Sequence, residues 1–313
     1  MALYLVTGGA GFIGSHLCDS LMARGDQVRV LDDLSTGRLS NLPDGVSFIH
    51  GDAADPATLA AAVESVDGCF HLAAIASVER GVDDWLGTHR ANLTATIALF
   101  DALRRQGRKQ PVVYASSAAV YGDCAETPIR ETAERRPLSA YGADKYWCEL
   151  HARVASHVHA IPTTGLRFFN VYGPRQDPKS PYSGVISIFC ERISQGLPIT
   201  IYGDGGQTRD FIAVADVVRG LTAAMDLRAP DAPVFNLCTG RATSVAALAE
   251  LIATLSGRAL DARHGAARLG EIRHSIGDPT QARTVLNLRE PLSLRDGLAS
   301  VLQWLSSHDR HPA

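Results

Sequence analysis

Tyr141 and Lys145 stand four residues apart in the stretch PLSAYGADKYWCE. A helix places positions i and i+4 on one face, so the ammonium can lie behind the phenol. A tyrosine hydroxyl ordinarily ionises near ~10, and nearby positive charge favours the phenolate. Such a pair can remove a hydroxyl proton from a carbon that simultaneously gives up hydride. A third group stands upstream in YASSAAVYG, where Ser116 and Ser117 close an apolar run and Ser117 can hold the substrate oxygen. Tyr-x-x-x-Lys alone is common in helices. It means proton transfer only if the chain also builds a hydride acceptor site and a substrate cleft around it.

The acceptor site is written near the start. VTGGAGFIGSHL can be parsed as G-x-x-G-x-x-G through Gly8, Gly11 and Gly14, or as G-x-G-x-x-G from Gly9. Either spacing permits a tight turn, close approach of backbone to a pyrophosphate and close helix-strand packing. A strand precedes this loop, a helix follows it, and Asp32 lies about 20 residues on, at the end of the second strand. A carboxylate there accepts ribose hydroxyls and repels a 2′-phosphate, which favours NAD over NADP. Asp33 and Arg38 are close by. HGDAAD places Asp52 and Ala53 after the third strand, and HLAAIAS places Ala73 and Ala74 after the fourth, where a broad ligand must pass near backbone. Phe12, Ile13, Leu72, Asn92, Ser116 and Phe168 complete the candidate cofactor pocket, with Tyr141 and Lys145 reaching the nicotinamide end.

The elements that must position these residues alternate. LYLVTGG, QVRVLDD, VSFIHGD, CFHLAA, PVVYASS and TTGLRFFNVYG read as strands, separated by helices such as SHLCDSLMARG and NLTATIALFDALRRQ. That alternation predicts βαβ units, a parallel sheet and a doubly wound α/β fold. After Gly173 the chain turns polar and proline-rich, and ITIYGDGGQTRDFIAV reads as strand, glycine-rich turn, strand. We therefore expect a Rossmann domain over 1–173, joined by 209–238, and a smaller mixed α/β substrate lobe from 174–208 and 239–313.

Composition narrows the function. Of 313 residues, 46% are hydrophobic and 20% charged, enough for a sizeable core. The net charge of −3 carries no basic excess for nucleic acid or an anionic membrane. MALYLVTGG enters a strand at once without a signal-like region, and no apolar run reaches the ~20 residues a bilayer span needs. Six scattered cysteines without C-x-x-C suggest reduced thiols in the cytoplasm rather than a disulfide or zinc framework, so no metal is expected.

TGGAGFIG, LDDLSTG, SSAAVYG, YGADK, RFFNVYGP, GDGGQTRDF and GEIRHSIGD stand in this order along nearly the whole chain. Together they resemble the extended short-chain dehydrogenase/reductase family, most closely its UDP-hexose 4-epimerases. The resemblance implies a tightly held NAD. It also implies that Tyr141, assisted by Ser117, takes the C4 hydroxyl proton while hydride leaves C4, and that the 4-keto sugar turns over and is reduced from its other face. On the same ground Asn170, Arg209 and Arg268 would face the substrate diphosphate, arginine suiting phosphate oxygens. Val185, Thr200 and Tyr202 would shape the uridine pocket. Glu271 stands where the family more often has Asp, one methylene shorter.

Within the family, dehydratases carry Asp-Glu where this chain has Ala118 and Ala119, so elimination of water is not expected. Asn170 favours a neutral hexose over a uronate. Ser275 matches a position that is a bulky tyrosine in strict UDP-glucose epimerases, which predicts that UDP-GlcNAc/UDP-GalNAc is accepted beside UDP-Glc/UDP-Gal. The readings left open are a net dehydrogenase or reductase, a uronate 4-epimerase, and a non-catalytic NAD-binding sensor. The family commonly forms homodimers through paired helices, and NLTATIALFDAL and YWCELHARVA are apolar enough for that.

Overall fold

The computed structural model describes residues 1–313 except 77, 108, 179–183, 268–271 and 309–313. β1 (Leu3–Thr7) is the first strand and the glycine-rich turn leads into α1 (Phe12–Ala23). β2 (Gln27–Asp32) and β3 (Ser47–His50) follow, then α2 (Pro56–Ala62). The Asp55 carboxylate accepts the Thr58 N–H and Pro56 opens the first turn, a capped start for a short helix. β4 (Gly68–His71) leads to α3 (Val78–Asp83), α4 (Trp85–His89), a π-helical turn over Arg90–Thr94 and α5 (Ala95–Arg105). β5 (Val112–Ser117) runs into a 3₁₀ turn over Ala118–Tyr121, and α6 (Ala140–His159) returns to β6 (Thr163–Phe168).

The second half supplies β7 (Asn170–Tyr172), α7 (Val185–Ser194), β8 (Ile199–Tyr202), β9 (Thr208–Ala213), α8 (Val214–Leu227) and β10 (Val234–Leu237). β11 (Ala242–Ser244), α9 (Val245–Ser256), β12 (Ala262–Gly265), β13 (His274–Ser275), α10 (Thr280–Val285) and α11 (Leu294–His308) complete the chain.

Seven strands form one parallel sheet in the order β10-β6-β5-β4-β1-β2-β3. Every residue of β4 and β6 is buried, as strands covered on both faces must be. One apolar core, with Leu17, Leu21, Val217 and Leu221, lies between the sheet and α1 and α8. A second, with Leu59, Leu99, Leu103 and Ala152, lies under α2, α5 and α6. The chain moves outward from β1 to β3 and then restarts on the other side at β4. Strand order reverses there, and the crevice outside the carboxyl ends of β1 and β4 is the natural ligand site of such a sheet.

One expectation about the elements changes. TTGLRFFNVYG is not one strand: β6 ends in the main sheet at Phe168, and β7 instead pairs with β9. ITIYGDGGQTRDFIAV is strand, turn, strand as expected, and its strands go to different sheets: β8 takes β12, whereas β9 takes β7, β11 and β13. The expected division of the chain is correspondingly cut elsewhere. β7 falls before 173 and β9 within 209–238, yet both belong to the second sheet, while β10 and α8 go with the Rossmann core. A third apolar core, including Phe189, Ile201, Phe211, Leu248 and Leu298, holds this smaller lobe together.

Candidate active site

The glycine turn is shaped as a cradle. Gly8 has φ +71°, and a β carbon there would lie 2.7 Å from the Ala73 backbone nitrogen. Only glycine lets the turn after β1 come this close to the end of β4. Gly11 is the N-cap of α1 and offers no side-chain cap, so the first N–H groups of this 12-residue helix open toward the crevice. Phe12 and Ile13 are half-buried on its first turn, and Gly14 is buried behind them.

Asp32 ends β2 and is 7% exposed. Its Oδ2 accepts the Ala10 N–H at 2.9 Å and its Oδ1 the Leu34 N–H at 2.8 Å. Burial raises its pKa, and these two bonds work against that rise. Each carboxylate oxygen keeps a lone pair for a ribose hydroxyl. Asp33 is exposed and accepts the Ser35 N–H at 2.9 Å. Arg38 is engaged with Asp177 at 2.5 Å. Asp52 accepts the Ala54 N–H at 2.7 Å and meets Arg90 at 2.8 Å, with buried Ala53 between.

After β4 the half-buried Leu72, Ala73 and Ala74 line the crevice wall. Asn92, in the π-helical turn, uses both ends of its amide on this segment: Oδ1 accepts the Ile75 N–H at 2.8 Å and Nδ2 donates to the Ile75 carbonyl at 3.3 Å. Asn92 thus shapes the wall rather than presenting a free amide. Behind it, His71 Nδ1 lies 2.8 Å from Thr7 Oγ1 and Nε2 lies 3.0 Å from Thr96 Oγ1. Thr96 donates its own proton to the Asn92 carbonyl, so His71 donates from Nε2 and accepts at Nδ1. Burial first, and then the Lys145 charge, push the imidazole down to about 3, so it is neutral.

The proton-transfer candidates meet at the ends of β5 and α6. Ser139 caps α6 by accepting the Gly142 N–H at 3.1 Å, which starts the helix one residue before Tyr141. Lys145 Nζ lies 5.9 Å from the Tyr141 ring centroid, with Tyr141 half-buried and Lys145 2% exposed. Ser117 is half-buried, and its Oγ accepts the Ala119 N–H at 3.1 Å. Alternation along a strand sends neighbouring side chains to opposite faces. Ser116 accordingly turns away, is 1% exposed and donates to Glu149 Oε1 at 2.6 Å, so its side chain adds nothing to the cofactor crevice. Phe168 ends β6 and is buried.

The substrate candidates lie on the second sheet. Asn170 on β7 is exposed and stands opposite Phe211 of β9, two residues from Arg209. Ser275 on β13 stands opposite Arg209 in register. Asn170, Arg209 and Ser275 therefore share one sheet, and β7 continues from β6, the neighbour of the strand that carries Ser117. Thr200 and Tyr202 occupy the exposed face of β8, whose Ile199 and Ile201 enter the lobe core, and half-buried Val185 opens α7. Arg268 and Glu271 lie outside the described residues.

Three charged residues that the reading of the sequence passed over also matter. Asp210 is fully buried and accepts the N–H groups of Thr239, Gly240 and Gly277 together with the Thr239 hydroxyl, joining β9 to the segments after β10 and β13. Arg167 and Glu149 form an ion pair at 2.7 Å with side chains 4% and 6% exposed. Their signal was a charge inside a buried apolar run such as TTGLRFF, where an unpaired charge is not tolerated. Among the described residues no group of three His, Cys, Asp or Glu side chains is placed to hold a metal, and no helix is long and apolar enough to cross a membrane.

Residues 4–238 match the family described as NAD dependent epimerase/dehydratase. The UDP-glucose 4-epimerase of Mycolicibacterium smegmatis is 37% identical over 306 residues, covering 96% of this chain and 97% of its own. Among solved structures, the UDP-glucose 4-epimerase of Thermotoga maritima with UDP-glucose superposes with a TM-score of 0.93 at 35% identity, covering 97% of this chain and 99% of that one. The UDP-N-acetylglucosamine 4-epimerase of Methanobrevibacter ruminantium, in complex with UDP-N-acetylmuramic acid, gives a TM-score of 0.92 at 33% identity, covering 98% and 99%.

Proposed function

The chain belongs to the NAD dependent epimerase/dehydratase family, and on that premise we propose that it inverts C4 of a UDP-hexose through a transient 4-keto sugar. The observation that carries this reading is the meeting of Ser117, Tyr141 and Lys145 at the carboxyl end of β5, beside a crevice floored by the Gly8 turn. The cradle at Gly8, the open N-terminus of α1 and the Asp32 carboxylate fit NAD, with Asp32 at the adenosine ribose and the first turn of α1 at the pyrophosphate. Bound there, NAD supplies a two-electron acceptor that takes hydride from C4 and gives it back.

The chain's own part is proton handling and grip. Tyr141 removes the C4 hydroxyl proton and later returns it, with Ser117 hydrogen-bonded to the same oxygen. Lys145 Nζ lies 5.9 Å from the Tyr141 ring centroid, one helical turn on along the same face of α6. Arg209 and Asn170, with Arg268, hold the diphosphate, while Val185, Thr200 and Tyr202 surround the uridine and Glu271 its ribose. A firm grip on the nucleotide and a loose one on the sugar let the keto sugar present either face. Ser275, opposite Arg209, leaves room for an N-acetyl group, so UDP-GlcNAc and UDP-GalNAc are substrates beside UDP-Glc and UDP-Gal.

The six cysteines are unpaired and five are buried, which suits a reducing cytoplasm. Ile97 of α5 and Trp147, Val154 and Val158 of α6 are exposed on the helices that would pair in a homodimer. The function is tested by incubating the purified protein, without added cofactor, separately with UDP-Glc, UDP-GlcNAc and UDP-GlcA and following C4 by NMR. Inversion of the first two supports the reading. Inversion of UDP-GlcA alone, or turnover only with added NADPH, overturns it.

A further inference from the structure

Tyr141, Lys145 and Glu149 follow one another at i, i+4 and i+8 on α6 and so share a stripe of its surface. The first two carry the proposed proton transfer, whereas the third is spent on buried protein partners. Glu149 is 7% exposed and fully engaged: Oε1 accepts the Ser116 hydroxyl at 2.6 Å and Arg167 Nε at 2.8 Å, and Oε2 accepts Arg167 Nη2 at 2.7 Å. Arg167 Nη1 donates onward to the Tyr121 hydroxyl at 2.6 Å and to the Glu131 carbonyl at 3.0 Å. Tyr121 donates to Asn236 Oδ1 at 2.6 Å, and Asn236 Nδ2 donates to the Ile129 carbonyl at 2.9 Å.

A buried ion pair of this kind is weak evidence for stability, because desolvation cancels most of its attraction. What a bidentate arginine-carboxylate pair does supply is fixed geometry. The location shows which geometry. Ser116 is the residue before Ser117, and Tyr121 ends the 3₁₀ turn that Ser117 caps. The network therefore grips both ends of the segment that carries Ser117. Through Glu149 it fastens that segment to the helix that carries Tyr141 and Lys145. Serine and tyrosine must converge on one substrate oxygen, and they come from different elements. The Glu149 network is the buried polar connection between those elements.

We propose that Glu149 is a positioning residue for proton transfer: acting through Ser116 and through the Arg167-Tyr121 arm, it sets the placement of Ser117 relative to Tyr141. This rests on the epimerase reading. Losing one arm loosens the placement without removing a group that touches the sugar, and small misplacements cost rate steeply.

The test uses the holoenzyme and the mild variants Ser116→Ala and Tyr121→Phe, which leave the ion pair in place, with Glu149→Gln and Glu149→Asp as a further pair. Each mild variant should lower kcat about 10-fold and keep KM for the UDP-sugar within about twofold. Bound NAD content should stay unchanged, and amide exchange over Ser117–Tyr121 should accelerate. Glu149→Asp should recover part of what Glu149→Gln loses. Unchanged kcat in both mild variants overturns the proposal. So does a parallel loss of kcat, KM and NAD content, which marks general loosening of the fold. A wild-type chain that inverts no UDP-hexose refutes the epimerase reading and the proposal with it, and the wild-type control alone reveals that outcome.

Discussion

Gly142 packs so tightly against Ala119 that a β carbon at Gly142 would lie 2.6 Å from the Ala119 carbonyl oxygen. This approach sets the distance between the start of α6, with Tyr141, and the turn that follows Ser117. Gly142→Ala must push the two apart. Overpacking of this kind costs typically ~1–3 kcal/mol, and the displaced pair should lose about 10- to 100-fold in kcat. Steady-state kinetics and a melting curve check both effects. A variant with wild-type kcat would mean that this packing does not set the geometry of the pair.

Tyr141 is the assigned base, and Lys145 Nζ lies 5.9 Å from its ring centroid. Tyr141→Phe removes the proposed proton acceptor and should lower kcat by about 10²- to 10⁴-fold. Nucleotide binding should survive, because the proposed diphosphate grip lies elsewhere, on β7 and β9. Calorimetric titration with UDP and a turnover assay separate the two. Near-normal turnover would mean that another group is the base.

Much of the frame was legible because buried parallel strands are near-continuous apolar runs, and α-helices separate the first six strands except β2 from β3. Gly8, Gly11, Gly14 and Asp32 were legible because their chemistry is local to one strand-turn-helix-strand unit, β1 to β2. The break at Phe169 was not. The apolar pattern of RFFNVYG continues across it, and only the tertiary partner β9 draws β7 into the second sheet. Ser116 was grouped with Ser117 although strand alternation already separates them. The Glu149-Arg167 pair joins a helix to a strand 18 residues on, and a choice of partner at that range leaves no periodic trace.

Ser275 tests substrate range. It faces Arg209 across β13 and β9, beside the proposed diphosphate grip. Ser275→Tyr should abolish inversion of UDP-GlcNAc while UDP-Glc turnover stays within about threefold, since a pocket rejects by steric exclusion what it no longer has room for. Competition between the two sugars followed by NMR measures the change. Equal losses on both sugars would remove Ser275 from specificity.

His71 predicts an acid-sensitive fold. The folded chain holds this imidazole neutral down to about 3, against an ordinary value of 6.5 in the unfolded chain. Between those values the unfolded state binds the extra proton. The His71 contribution is therefore fully present above 6.5 and drains as pH falls toward 3, by ~1.4 kcal/mol per pH unit. His71→Gln should flatten the dependence of Tm on pH between 6.5 and 5 relative to wild type. Parallel curves for the two proteins would show that His71 does not titrate on unfolding.

The central claim is that hydride leaves C4 and returns to the same carbon of the same sugar while Tyr141 holds the proton. UDP-hexose carrying deuterium at C4, incubated in ordinary water with the purified protein and no added cofactor, tests this directly by NMR. The account predicts C4-inverted product with the deuterium still on C4. Inversion with loss of the label to water, or accumulation of NADH in step with a released keto sugar, would contradict it.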